Sequence, residues 1–115
     1  MRRYEYSAGA EVTALKAWHL VVAPLIDLSQ VDLAQRAGIG LSTVQFAMQG
    51  RTRGRQEACC GPEASEALEC TTGIDAATLR SGEQRRAWSV PIPEWVWSRV
   101  PSGVRKDLVL AGADG

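Results

Sequence analysis

The sequence predicts an all-α fold, a bundle of about five short helices with a Trp- and Pro-rich C-terminal extension. Two observations support this prediction. Through most of the 115-residue chain, apolar residues recur every three or four positions, which is the spacing of one helix face. Residues that begin or end helices, chiefly serine, proline and glycine, separate these stretches from one another. We expect three segments: a flexible arm over residues 1–9, a helical domain over 10–82 and the extension over 83–115.

The composition is that of an ordinary folded protein. Hydrophobic residues make up 45% of the chain and charged residues 23%, and a domain of this size buries enough apolar surface to fold without disulfides or metals. No apolar run reaches the roughly 18 residues that a membrane span needs. The first residues are too polar for the core of a secretory signal. We therefore expect a cytoplasmic protein with no membrane partner.

Nothing in the sequence predicts catalysis. The chain has no glycine-rich phosphate loop with a following Lys-Ser or Lys-Thr, and no His-Glu-x-x-His motif. One group of carboxylates is interpreted as a solvated helix face; it comprises Glu57, Glu63, Glu66 and Glu69. The cysteines are odd in number and lack zinc spacing, so we expect reduced thiols at Cys59, Cys60 and Cys70. The expectation is a non-enzymatic protein without metal, cofactor or small-molecule ligand.

The first predicted helix runs from about Ala10 to Leu25. Its apolar positions have helical spacing, and Pro24 with the following Ile-Asp-Leu ends or kinks it. Further along, a loop rich in arginine spans Arg51 to Gly61. Pro62 then begins a short helix that ends near Gly73, and one more helical turn follows.

Between Gln30 and Gln49, the spacing predicts two helices joined by a tight turn. Ser29 offers an oxygen that can cap the first helix, and Gly38 supplies the positive φ that ends it. Ala34 is the small residue required where the second helix approaches, and Ile39 is the apolar residue that anchors the turn in the core. Together these spacings are typical of a helix-turn-helix.

The extension interleaves tryptophans with prolines, which block a long helix. We expect Val90 to Val100 to be extended or to form a single turn, and a final helix to run from Ser102 to Ala111. The tryptophans have two interpretations. They cover the core of the helical domain, or they form a dimer interface, because Trp is enriched at interface hot spots. The second interpretation assigns to the interface Trp88, Trp95 and Trp97.

Two segments carry a family resemblance. The segment SQVDLAQRAGIGLSTVQFAMQGR resembles the lambda-repressor-like, Cro-type helix-turn-helix family in its opening Ser-Gln, its Leu-Ala, its Gly-Ile turn and its Ser-Thr-Val helix closed by Gly-Arg. The later segment ALECTTGIDAATLR resembles the last helices of Cro-like and YdaS-like domains. Together they cover about residues 12–81. The resemblance implies a small transcriptional regulator of phage or mobile-element type, associated with the nucleoid of a bacterial cell or phage-infected host.

The resemblance also implies a role for each exposed position, because such domains insert the N-terminal part of the second motif helix into the major groove. The predicted base contacts are Leu41, Ser42, Gln45, Phe46 and Gln49. Gln45 is the leading candidate for direct readout, since an amide can both donate to and accept from adenine. The predicted phosphate contacts are Gln30, Thr43, Arg51, Arg53 and Arg55. We expect a homodimer that binds an inverted repeat in double-stranded DNA and represses a promoter.

Several of these residues have a second interpretation. Phe46 is also a candidate core residue, and Gln49 is also a candidate surface residue without a ligand. The arginines after the motif form either a phosphate clamp or a solvated loop. Arg2 and Arg3 belong either to an arm in the minor groove or to a disordered start.

The net charge of zero counts against DNA binding, because proteins that neutralise phosphates usually carry a basic surplus. The charges are segregated, however. From Gln30 to Arg55 the only acid is Asp32, against four arginines, whereas Glu57 to Asp75 contains five acids and no base. Local basicity therefore permits DNA binding. The alternative function is a protein-interaction module on the same scaffold, such as an antitoxin or a phage protein that binds a host protein.

Overall fold

The computed structural model describes residues 2–50 and 60–105. In chain order, the helices and strands are β1 (Arg2–Thr13), α1 (Ala14–Ile26), α2 (Gln30–Ala37), α3 (Leu41–Gln49), α4 (Pro62–Thr72), α5 (Ala76–Ser81), β2 (Gln84–Ile92) and α6 (Glu94–Trp97). Residues 102–105 are also helical, at the start of the predicted final helix, and the rest of that prediction lies outside the described residues. Within the described ranges, no helix has the length and apolar character needed to cross a membrane.

The prediction of an all-α fold is wrong. β1 and β2 pair as an antiparallel two-stranded sheet, so the described chain has a mixed α/β fold. Arg2 pairs with Ile92 and Ser7 with Ala87, and the register shifts before Val12. The sheet brings the first residues of the chain together with the predicted extension.

Alternating burial explains why the N-terminal residues form a strand. Tyr4 and Tyr6 are half-buried, while Arg3, Glu5 and Ser7 are exposed. This is the period of a strand that has one covered face. Residues 2–9, predicted to be a flexible arm, instead lie in β1.

The first helix begins later than predicted. The chain from Ala10 to Thr13 continues β1, and α1 starts only at Ala14. The Thr13 hydroxyl caps α1, because it accepts a hydrogen bond from the Lys16 N–H at 3.2 Å. At its other end α1 continues through Pro24 and stops at Asp27, which has a left-handed φ of 55°.

A single hydrophobic core joins the helices to the sheet. Trp18 of α1 is fully buried, and its ring lies 6.4 Å from that of Trp95. The other elements contribute buried aliphatic side chains, among them Leu33, Val44, Leu68, Val90, Ile92 and Val96. Since residues after position 83 supply part of this core, the predicted extension packs into the fold of the helical domain.

Candidate nucleic-acid interface

The two helices predicted between Gln30 and Gln49 are present as α2 and α3, with the predicted caps. Ser29 Oγ accepts from the Asp32 N–H at 3.0 Å, and the Asp32 carboxylate accepts from the Ser29 N–H at 3.1 Å. Gly38 ends α2 with a φ of 73°. The N–H of the half-buried Ile39 then donates to the Ala34 carbonyl at 3.0 Å, which closes the turn before α3.

The Ser29–Asp32 pair also stabilises the charged form of the carboxyl group. Hydrogen bonds from the Ser29 backbone and then from its side chain hold the pKa of Asp32 below its ordinary value of 3.8. The carboxylate lies in the first turn of α2, where negative charge is favoured by the helix dipole. The start of α2, and with it Gln30, therefore has a fixed position.

α3 presents an uncharged face to solvent. Its exposed residues are Leu41, Ser42, Gln45 and Gln49. Its buried residues, which pack into the core, are Val44, Ala47 and Met48. Two predicted contact residues, Thr43 and Phe46, are half-buried at the boundary of these faces. Four of the five predicted base contacts thus lie on the solvent face, and Phe46 lies beside it.

Three glutamines from two helices meet in one cleft. Gln30 at the start of α2 and Gln45 and Gln49 on α3 line a cavity of about 360 Å³, whose remaining wall comes from α1 and Met48. We call this the amide cleft. A predicted phosphate contact and two predicted base contacts are therefore neighbours in space, and their amides offer both donors and acceptors.

The α1 wall of the amide cleft was missed in the sequence. It consists of Lys16, His19 and Leu20. Helical spacing places Lys16 and Leu20 on the face of α1 away from the buried core, with the half-buried His19 at its edge, and this periodicity could have identified them. His19 Nε2 donates to the Leu28 carbonyl at 2.9 Å, which fixes the ring at the cleft.

The described interface carries little charge. Over α1 to α3 the cations Lys16 and Arg36 balance the anions Asp27 and Asp32, and α3 itself contains no ionisable side chain. The predicted phosphate contacts Arg51, Arg53 and Arg55 lie outside the described residues. Lys16 is the cation that the structure places at the amide cleft.

Large apolar side chains are also exposed on the three helices that form the amide cleft. Among the described residues, the exposed large hydrophobic side chains are Leu20 at 44%, Val31 at 46% and Leu41 at 37%. One comes from each of α1, α2 and α3. Exposed aliphatic groups of this kind suit thymine methyl groups or an apolar protein partner.

The tryptophans of the extension contribute to the protein's own fold. Trp88 and Trp97 are only 8% and 7% exposed, and Trp88 Nε1 donates to the Val12 carbonyl at 2.7 Å. Trp95 is half-buried, donates to the Thr71 carbonyl at 2.7 Å and carries the Arg36 guanidinium over its ring at 3.7 Å. These placements agree with the core-covering interpretation, and dimerisation stays a prediction.

The structure describes two of the three cysteines. Cys60 is buried and Cys70 is exposed, and Cys59 lies outside the described residues. In the ranges 2–50 and 60–105, no group of three or more His, Cys, Asp or Glu side chains is placed to hold a metal ion.

No protein-family model, curated protein or solved structure matches the chain. The resemblance to Cro-type domains therefore stays a prediction that rests on the motif residues. The features that bear on function are the turn between α2 and α3, the amide cleft and the exposed side chains around them.

Proposed function

We propose that the protein is a transcriptional regulator that binds double-stranded DNA through α3. The observation that carries this proposal is the amide cleft, in which Gln30 of α2 and Gln45 and Gln49 of α3 meet beside Lys16. The two helices are joined by a turn that Gly38 closes, which is the geometry by which such motifs present their second helix to the major groove.

The side chains on α3 match the chemistry of base edges. The Gln45 amide can donate to and accept from adenine in a bidentate pair, and the exposed Leu41 can contact a thymine methyl group. Ser42 lies in the first turn of α3, where a hydroxyl reaches either a base edge or a phosphate. An uncharged reading helix of this kind obtains its affinity from neighbouring cations.

Phosphate contacts supply that affinity. Lys16 is exposed at the wall of the amide cleft, where Gln30 offers a neutral donor, and the half-buried Thr43 of α3 offers a further hydroxyl donor. The predicted contacts Arg51, Arg53 and Arg55 follow α3 in the chain. Binding through these cations releases counterions from DNA, so affinity is expected to fall steeply as salt concentration rises.

The proposal includes a homodimer on an inverted repeat, since one α3 reads only a few base pairs and two copies related by symmetry read a palindrome. Repression follows if such an operator overlaps a promoter. The experiment that tests this function is selection of bound fragments from random duplex DNA, followed by mobility shifts with the selected sequence and a scrambled control. Enrichment of an inverted repeat supports the proposal, and recovery of no preferred sequence would refute it.

A second function, a protein-interaction module, is favoured by one specific observation. The exposed Leu20, Val31 and Leu41 lie on the same three helices as the amide cleft, where the described charge sums to zero. Exposed aliphatic side chains on helices with balanced charge suit a protein partner better than a phosphate backbone. A chain that shifts no DNA at about 50 mM salt, where non-specific binding is strongest, would favour this second function.

A further inference from the structure

A second cleft adjoins the amide cleft on the side of the β-sheet. It has a volume of about 310 Å³, and we call it the sheet cleft. Lys16, Met48 and Gln49 line both clefts, so the two are neighbours on one surface. The wall that distinguishes the sheet cleft comes from the end of β1 and the start of β2: Glu11, Val12, Thr13 and Gln84.

The sheet is attached firmly to the end of α3 at this cleft. The buried Thr13 hydroxyl donates to the Met48 carbonyl at 2.7 Å, and Gln84 Nε2 donates to the Gln49 carbonyl at 3.4 Å. The backbones of Gly50 and Gly82 are also in direct contact. These contacts place the first residues of β2 beside the end of the helix that is proposed to read DNA.

Two arginines follow Gln84 in β2, and they differ in the contacts that their side chains make. Arg85 pairs with Glu83 at 2.8 Å and lies over the Trp88 ring at 4.6 Å. Arg86 is exposed, and in the described part of the chain its side chain makes no hydrogen bond or ion pair with another residue. A strand advances about 3.3 Å per residue, which places the Arg86 backbone about 7 Å from Gln84 along β2.

We propose that this end of the sheet is a second DNA-contact surface, at which Lys16, Gln84 and Arg86 bind phosphates that flank the bases read by α3. The inference rests on the proposed DNA-binding function and extends it from the helices to the sheet. It assigns phosphate contacts to residues far from α3 in sequence. Lys16 and Arg86 supply positive charge, and the second N–H of the Gln84 amide, which does not bond Gln49, supplies a neutral donor at the rim of the sheet cleft.

One carboxylate opposes this surface. Glu11 is exposed and lines the same sheet cleft as Lys16. A negative charge there repels phosphate. Neutralising it should therefore change DNA affinity in the direction opposite to the change caused by removing a cation. If DNA lies on this surface, Arg86→Ala should therefore lower the affinity and Glu11→Gln should raise it.

The test measures the affinity of the full chain for its selected duplex and for a scrambled duplex, each over a range of salt concentrations. Arg86→Ala is expected to weaken both affinities about threefold or more at low salt and to lower the slope of log affinity against log salt by about 1. Glu11→Gln is expected to strengthen both. The matched control is Arg99→Ala, which removes an equal charge from a guanidinium that lies over the Trp95 ring and is expected to leave affinity unchanged.

The outcomes separate the two proposals. If the unaltered chain binds DNA and Arg86→Ala, Gln84→Ala and Glu11→Gln all bind as it does, the sheet surface is overturned and the function of α3 stands. An equal loss from Arg99→Ala would also overturn it, because the effect would then reflect overall charge. If the unaltered chain binds no DNA at low salt, the proposed function fails and takes this inference with it.

Discussion

The backbone of Gly50 lies directly against that of Gly82. A Cβ atom on Gly50 would stand 2.8 Å from the Gly82 carbonyl oxygen, and a Cβ atom on Gly82 would stand 3.1 Å from the Gly50 Cα. Gly50 ends α3 and Gly82 ends α5 just before β2, both with positive φ. This contact joins the candidate DNA-reading helix to the sheet through two residues that have no side chain.

The contact predicts a graded series of glycine substitutions. Gly38→Ala, which has a φ of 73° and open space around it, should cost about 1–2 kcal/mol of unfolding free energy from backbone strain alone. Gly50→Ala adds a clash with backbone and should cost at least about 1 kcal/mol more. Gly9→Ala is the control, because nothing lies within 4 Å of its Cβ position. Urea unfolding measures all three, and equal values for Gly38→Ala and Gly50→Ala would contradict the close contact.

Thr13 should be important for stability, because its hydroxyl makes two hydrogen bonds. It donates to the Met48 carbonyl at 2.7 Å and accepts from the Lys16 N–H at 3.2 Å. Thr13→Val keeps the shape but removes both bonds, so we expect a loss of about 1–3 kcal/mol. Thr78→Val is a control on another helix. A Thr13→Val chain as stable as the parent in thermal unfolding would show that the joint between α1 and α3 contributes nothing.

The capping pair predicts a dependence on acid. Because the pKa of Asp32 is lowered in the folded chain, chiefly by the Ser29 backbone hydrogen bond, its contribution is fully present above the ordinary value of 3.8. The contribution is lost as pH falls through the lower folded pKa. Asp32→Asn should therefore be less stable than the parent near neutral pH, and the two should converge in acid. Urea unfolding of both chains from neutral pH down into acid checks the prediction. A difference in unfolding free energy that is the same at every pH would contradict it.

The buried tryptophans predict an effect on the single subunit. Trp88→Ala should lower the unfolding free energy by about 3–5 kcal/mol, because it leaves a cavity and an unpaired Val12 carbonyl. A residue that served only a dimer interface would instead change the association constant and leave the isolated subunit stable. Sedimentation together with urea unfolding at low protein concentration distinguishes these results.

The sequence was sufficient for features that depend on neighbouring residues. Ser29, Gly38 and Pro62 act on the backbone within a few positions of themselves, so the ends of α2 and the start of α4 were predicted correctly. The sheet was missed because its pairing is non-local. Arg2 pairs with Ile92, and the sequence of neither strand indicates which segment it pairs with. Two alternating tyrosines in a short polar segment were too weak a pattern to outweigh the helical periods that follow.

In the candidate site, too, the local features could be predicted from the sequence and the non-local ones could not. The exposed residues of α3 follow from helical periodicity within the motif, and in the structure they lie together on the solvent face of that helix. The amide cleft and the sheet cleft need tertiary structure, because Lys16, Gln49 and Gln84 come from α1, α3 and β2. A linear motif contains no information about which distant side chains complete its surface.

The measurement that tests the central claim most directly is the operator preference of Gln45→Ala beside that of Gln35→Ala. Both glutamines are exposed on the two motif helices, but only Gln45 lines the amide cleft. We predict that Gln45→Ala lowers discrimination between the selected and scrambled duplexes by about 1–3 kcal/mol, while Gln35→Ala leaves it unchanged. Unchanged discrimination by Gln45→Ala, in a chain that still binds DNA, would contradict the assignment of α3 as the reading helix.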